Sequence, residues 1–171
     1  MKTMLLATIL AATLPVSNNS AANELWTLGV KTVSGVDKST KEEITIPIAV
    51  FLSSTGNLKI ENEETSATMQ AVCTIKRDKA IRITWQNMPM INSLDTTIHI
   101  DGRVFRNSYV WSKEGDVIYR MAGDSIDLTQ AMQDGKTVSI KFEHIGKRYN
   151  ASFDLTGFTD AYNAFNEKCG F

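Results

Sequence analysis

The stretch Phe153–Phe171, FDLTGFTDAYNAFNEKCGF, places a cysteine two residues from its end, directly behind an amphipathic run. Phe158, Ala161, Tyr162 and Phe165 fall at i, i+3, i+4 and i+7, and Cys169 lies one further turn along the same stripe. This spacing predicts a helix with one apolar face. A helix this short does not hold itself together by propensity, so its docking needs a fixture. Cys169 is the obvious one, and Cys73 is the only other cysteine in the chain.

The opening residues say whether those thiols meet an oxidising environment. One positive charge at Lys2, an apolar run from Met4 to Leu14 and the small residues Ser20-Ala21-Ala22 have the three-part order of a secretory signal, residues 1–22. The run is about half of the ~20 residues that a membrane-spanning helix needs, and no later segment comes closer, so no membrane span is expected once the signal is removed. The expected location is the periplasm, where a pair of cysteines reads as one structural disulfide, Cys73–Cys169. A metal site is not expected, because His99 and His144 lack finger-like spacing from the cysteines. A redox motif is not expected either, because Cys-x-x-Cys is absent. Residues 23–171 are then one secreted domain, long enough to bury a core. With 18 basic and 19 acidic side chains the chain is close to neutral. That disfavours a nucleic-acid partner, which would call for clustered Lys and Arg. The densest cluster, Lys76, Arg77 and Lys79, reads as a solvated hairpin tip.

Between signal and last helix the chain alternates in short bursts separated by turn residues, the pattern of an antiparallel β domain. LWTLGVKTV (25–33) and EITIPIAVFL (43–52) open it, and Pro47 inside the second implies an edge or a bulge. TGNLKIENEE (55–64) reads as a turn and a short exposed piece. ATMQAVCTIK (67–76) and AIRITWQNM (80–88) form a hairpin, with Ile81, Ile83 and Trp85 on one face. Asp101-Gly102 signals a tight turn, and short strands at SYVWS (108–112) and DVIYRMA (116–122) follow. DSIDLTQAMQDG (124–135) is a brief helix capped by Asp124 or Ser125 and closed by Gly135. A last hairpin turns at Ile145-Gly146. The fold class is mainly β, α+β in detail: an antiparallel sheet or sandwich with one short helix and a C-terminal helix stapled by the disulfide.

Chemistry is sparse. Period two puts His99 with Asp95 and Asp101 on one strand face, the only constellation resembling an acid–base site, but an outward face is polar without any site. No nucleophile elbow, zinc-protease pair or phosphate-cradling glycine loop occurs, so neither catalytic residues nor a cofactor are expected. Among the aromatics Trp26, Trp85, Tyr109, Trp111 and Tyr119, the periodicity assigns Trp85 and Tyr119 to the core. Tyr109 and Trp111, with Arg103 and Arg106 nearby in sequence, have the composition of a protein-binding patch.

A strand cysteine, a later TW strand, a short helix before a Lys-x-Val strand, and then ASFDLTGFTDAYNAFNEKC resemble the exported accessory proteins of type VI secretion clusters, the TagO/VasI family. The resemblance runs from about Val72 to Cys169. It implies a periplasmic, non-enzymatic, β-rich adaptor that binds an envelope protein. The first fifty mature residues depart from that pattern, with SGVDKSTKEEITIPIAVFL (34–52) where a compact opening pair of strands is expected. This leaves room for a different partner or for carriage by a phage or other mobile element. The alternative is a secreted inhibitor of a cell-wall-degrading enzyme, of lysozyme-inhibitor type, with SGVDKSTKEE (34–43) or NMPMINSL (87–94) as the loop entering a cleft.

Overall fold

The computed structural model describes residues 25–37, 39–40, 42–74, 79–86, 94–114, 117–120 and 125–169. Its elements are β1 (Thr27–Val36), β2 (Glu43–Ile60), β3 (Glu63–Thr74), β4 (Lys79–Trp85), β5 (Leu94–Ile100), β6 (Arg103–Glu114), β7 (Val117–Arg120), α1 (Ser125–Asp134), β8 (Thr137–His144), β9 (Lys147–Asp154) and α2 (Phe158–Cys169). All strand pairings are antiparallel, in the order β1-β2-β3-β4-β7-β6-β5-β8-β9. β9 then pairs with β2, Asn57↔Ser152 through Ile60↔Tyr149. One sheet therefore closes into a ring, and β1 alone stays outside it. The closure uses up the edges that an open sheet leaves for unwanted pairing.

β2 makes this possible by its length. Its first part pairs with β1, its middle and end with β3, and residues 57–60 with β9. The turn expected near Thr55–Asn57 is not there, because the strand runs straight through it. Gly56 serves close approach instead: a Cβ at that position would overlap the Ser152 carbonyl oxygen and the Phe153 ring. The chain reverses later, after Ile60, where Glu61 takes φ 52° and its carboxylate accepts the Arg148 N–H at 2.6 Å. Pro47 behaves as expected. The register slips between Lys31↔Ala49 and Thr32↔Pro47, a bulge beside a residue that has no N–H to donate.

The hairpin turns Asp101-Gly102 (φ 46° and 84°) and Ile145-Gly146 (φ 50° and 69°) both take left-handed backbone at two successive residues, the geometry that suits the twist of tight hairpins. SYVWS is the second half of one long strand, β6, rather than a strand by itself.

One continuous core fills the ring. Leu52, Leu58, Met69, Ile83, Trp85, Ile98, Ile140 and Phe153 face inward from the strands, and α1 adds Leu128 and Met132. α2 packs on β1, β2 and α1. Its Phe158 and Phe165 are fully buried, and Phe158 meets Trp26 edge-on at 4.8 Å. Cys73 and Cys169 are bonded, with Cα atoms 5.9 Å apart. Lys79 adds a second tie between β4 and the same helix, donating to Asn166 Oδ1 at 2.8 Å. Among the described residues no helix is long and apolar enough to cross a membrane.

Candidate functional site

Of the three residues that period two puts on one strand face, the structure describes the side chains of Asp101 and His99. Asp101 sits in the β5–β6 turn, and its carboxylate accepts the Lys136 N–H (2.8 Å), the Thr137 N–H (2.9 Å) and the Thr137 hydroxyl (3.1 Å). These donors, the Lys136 amide foremost, hold its carboxyl below the usual aspartate range. It anchors the start of β8. His99 is half-buried and engaged by neighbours of its own, and the Asp95 side chain lies outside the described residues. Among the described residues no three His, Cys, Asp or Glu side chains gather as metal ligands.

Of the four residues read as a protein-binding patch, the structure describes the side chain of Arg103. Arg103 stands at the turn end of β6, its guanidinium 5.0 Å from the centre of the Phe105 ring. Trp111 is eight positions on, near the other end of a strand rising about 3.3 Å per residue. The backbone of Trp111 pairs with Leu94 on one side and Arg120 on the other. The side chains of Arg106, Tyr109 and Trp111 lie outside the described residues, as does that of Tyr119. Trp85 is buried against Phe142 and Tyr149, and Trp26, the other aromatic considered for a binding face, is core.

Among the described residues two surfaces stand out. The first is a groove of about 480 Å³ on the outer face, where Lys59, Asn150, Lys141 and Thr97 form one lateral row across β2, β9, β8 and β5. Its charges are mixed. Arg148 is 3.6 Å from Glu61, and Glu143 stands opposite Arg148 in the register.

The second is a ribbon that sequence reasoning treated as a loop and a strand start. Beyond the bulge, Thr32–Val36 pair with Glu43–Pro47, while β3 takes up β2 only from Ala49 onward. The described partners of this stretch are thus each other. Directly opposite residues share a face. Val33 and Gly35 accordingly join Ile44 and Ile46 on one side, and Thr32, Ser34, Val36, Glu43, Thr45 and Pro47 lie on the other. Ser34 and Thr45 hydroxyls meet there at 3.2 Å. On the first side Ile46 is 51% and Ile44 37% exposed, and on the other Val36 is 59% exposed. The end of the ribbon is tied: Asp37 Oδ1 accepts from Ser39 N (2.7 Å), Ser39 Oγ (2.5 Å) and Thr40 N (3.3 Å), and the Asp37 N–H reaches Glu42 O at 2.9 Å. The Ser39 hydroxyl, and after it the amides, draw the Asp37 carboxyl below its ordinary range. The sequence signal that locates this ribbon is ITIPI, an alternation whose apolar residues continue past the point where the barrel needs them.

In comparisons with known proteins, no family model, no curated protein and no solved structure matches the chain.

Proposed function

We propose that this protein is an exported, non-enzymatic binding protein that engages another protein of the cell envelope, as the accessory proteins of the TagO/VasI family do. The observation that carries the proposal is the β1–β2 ribbon. Val36, Ile44 and Ile46 stand exposed along a ribbon whose described pairing is between its own two strands, and apolar side chains grouped on one exposed element offer a partner surface to bury. The disulfide adds weak support for export, since such bonds persist in oxidising compartments. The test is deletion of the gene in its native cells, followed by measurement of type VI effector export. Export should fall on deletion and return with the wild-type chain. Undiminished export would overturn the adaptor reading.

The same ribbon favours one second reading, a secreted inhibitor of a wall-degrading enzyme, because a tied tip on a projecting hairpin suits insertion into a substrate cleft. Purified protein titrated into a lysozyme-type digestion of cell walls separates the two. Stoichiometric loss of lysis would move the assignment to the inhibitor, and unchanged lysis leaves the adaptor.

A further inference from the structure

Resting on the reading of a binding protein, we infer that Arg82, on the outer face of β2, β3 and β4, takes an aspartate or glutamate carboxylate of the partner protein. Two observations carry the inference: how Arg82 is held, and the absence of a carboxylate from the positions around it.

Ser53, Gln70 and Arg82 lie in one lateral row across the three strands, half-buried on the outward side between inward residues such as Leu52, Met69 and Ile83. Gln70 Nε2 donates to Ser53 Oγ at 2.9 Å, which turns the Gln70 carbonyl toward Arg82, and Arg82 Nε donates to that carbonyl at 2.5 Å. The guanidinium carbon lies 5.2 Å from the centre of the Phe51 ring. Phe51 is on β2 and Arg82 on β4, so the arginine stem crosses β3 to reach the ring. Val72, between Phe51 and Ala80 in the register, is 8% exposed although it lies on this outward side. Ordering a long cation costs rotamer freedom, and here the fold has ordered it in advance. Gln70 takes the Nε donor. The other four guanidinium donors belong to the two Nη groups, whose planar fork matches the two oxygens of a carboxylate.

The neighbours of Arg82 in the register are Thr68, Gln70 and Val72 on β3 and Val117 and Tyr119 on β7, none of them acidic. Nor are the residues two places before and after it, Ala80 and Thr84. Arg148 on the outer face of β9 is the contrast, with Glu61 at 3.6 Å and Glu143 opposite. Arg82 is met by an amide oxygen and a ring face instead, and a half-buried charge attracts an opposite one more strongly than a charge in open water does. An ordered arginine beside an aromatic ring in an uncharged surround has the make-up of an interface centre, where charge is depleted and arginine and aromatic residues are enriched. One carboxylate on an otherwise neutral protein surface completes it. A polyanion would call for several cations side by side.

Two measurements test the inference. In the purified chain with its disulfide intact, the Nε–H signals of Arg82, Arg103 and Arg148 are followed by NMR as sodium acetate is added, with sodium chloride at equal ionic strength as the control. The Arg82 signal should move further with acetate than with chloride, and further than the other two. Equal movement would leave only screening and overturn the inference. In native cells a photo-crosslinking residue is placed at 68 or 84 on this face, at 44 on the ribbon, or at 141 or 152 on the outer face of β8 and β9. Adducts with one other protein are expected from 68 and 84. Arg82→Lys keeps the charge and the apolar stem but not the planar fork. It should lower those adducts about tenfold or more, with the melting temperature nearly unchanged. The partner peptide joined to 68 or 84 should hold an Asp or Glu whose change to Asn or Gln lowers the wild-type adduct and adds nothing to Arg82→Lys, the coupling that a direct pair requires. Undiminished adduct with Arg82→Lys, additive effects of the two changes, adducts of the chain with itself, or a collapse in melting temperature would each overturn the inference. Adducts confined to 44, 141 or 152 would overturn it while leaving a binding protein, and no heterologous adduct at any position would overturn both.

Discussion

Ile145 holds a left-handed backbone (φ 50°) at the tip of the β8–β9 hairpin while 83% of its side chain faces water. A β-branched residue pays for that conformation with crowding against its own carbonyl, on the order of 1 kcal/mol, and gains no burial in return. Ile145→Asn supplies the residue that this two-residue turn favours. It should raise stability by about 1 kcal/mol, or a melting temperature higher by about 2 to 4 °C for a chain of this size. An unchanged or lower melting temperature would show that Ile145 is not strained. Gly56 is the opposite case. Gly56→Ala drives a Cβ into the β9 backbone and the Phe153 ring and should cost at least about 2 kcal/mol, whereas Gly29→Ala, with nothing near its added carbon, should stay within about 0.5 kcal/mol. Denaturant titration of the two variants side by side checks the contrast. In sequence Gly56 reads as a turn, because a glycine between polar residues signals reversal and close approach alike. Only the pairing of β2 with β9, nearly a hundred residues later, separates the two meanings.

The last helix shows how local and distant fixtures share one element. Its stripe puts Phe158 and Phe165 into the core, and the Tyr162 hydroxyl bonds to Thr129 and Asn166, although burial still raises its pKa above the usual tyrosine range. The disulfide adds a constraint across 96 residues, worth about 4 to 5 kcal/mol by the chain-entropy argument. Cys169→Ala should therefore leave the barrel strands protected while amide exchange in α2 accelerates, most of all in the turn holding Asn166 and Cys169. Equal protection in both forms would show that apolar docking alone fixes the helix. This element was legible in advance, as were the β3–β4 hairpin, α1 and the Asp101-Gly102 turn, because each is set by residues within a few positions of one another. The closed ring was not. The β5-β6-β7 meander lies reversed between β4 and β8, an order decided by which apolar faces meet, and no short-range pattern encodes that. The ribbon escaped for a related reason: the sequence marks its alternation, but where β3 stops covering it is a fact of pairing.

Across the whole molecule, turns and junctions are tied down by carboxylates: Asp37 at the ribbon end, Glu61 after β2, Asp101 after β5 and Asp154 after β9. Each is held below its ordinary pKa. The first causes are the Ser39 hydroxyl for Asp37, the Arg148 amide for Glu61, the Lys136 amide for Asp101 and the Thr156 hydroxyl for Asp154. A carboxyl whose pKa is lower folded than unfolded contributes its stability above the unfolded value and loses it as pH falls through the folded one. The melting temperature should accordingly be flat through neutrality and decline below about pH 4. Asp101→Asn should shallow that decline while lowering the neutral value. A decline centred near pH 6 would point to a histidine instead and overturn this account. The bulge at Pro47 has a consequence for how such a protein can diversify. Everything the barrel needs lies on one side of it, so the ribbon's length is free of the core. Side chains alternate along a strand, so only insertions of two residues in each strand return the same face to the tip. Reach can therefore change in steps of about 7 Å, a ruler that selection can lengthen without rebuilding the body that carries it.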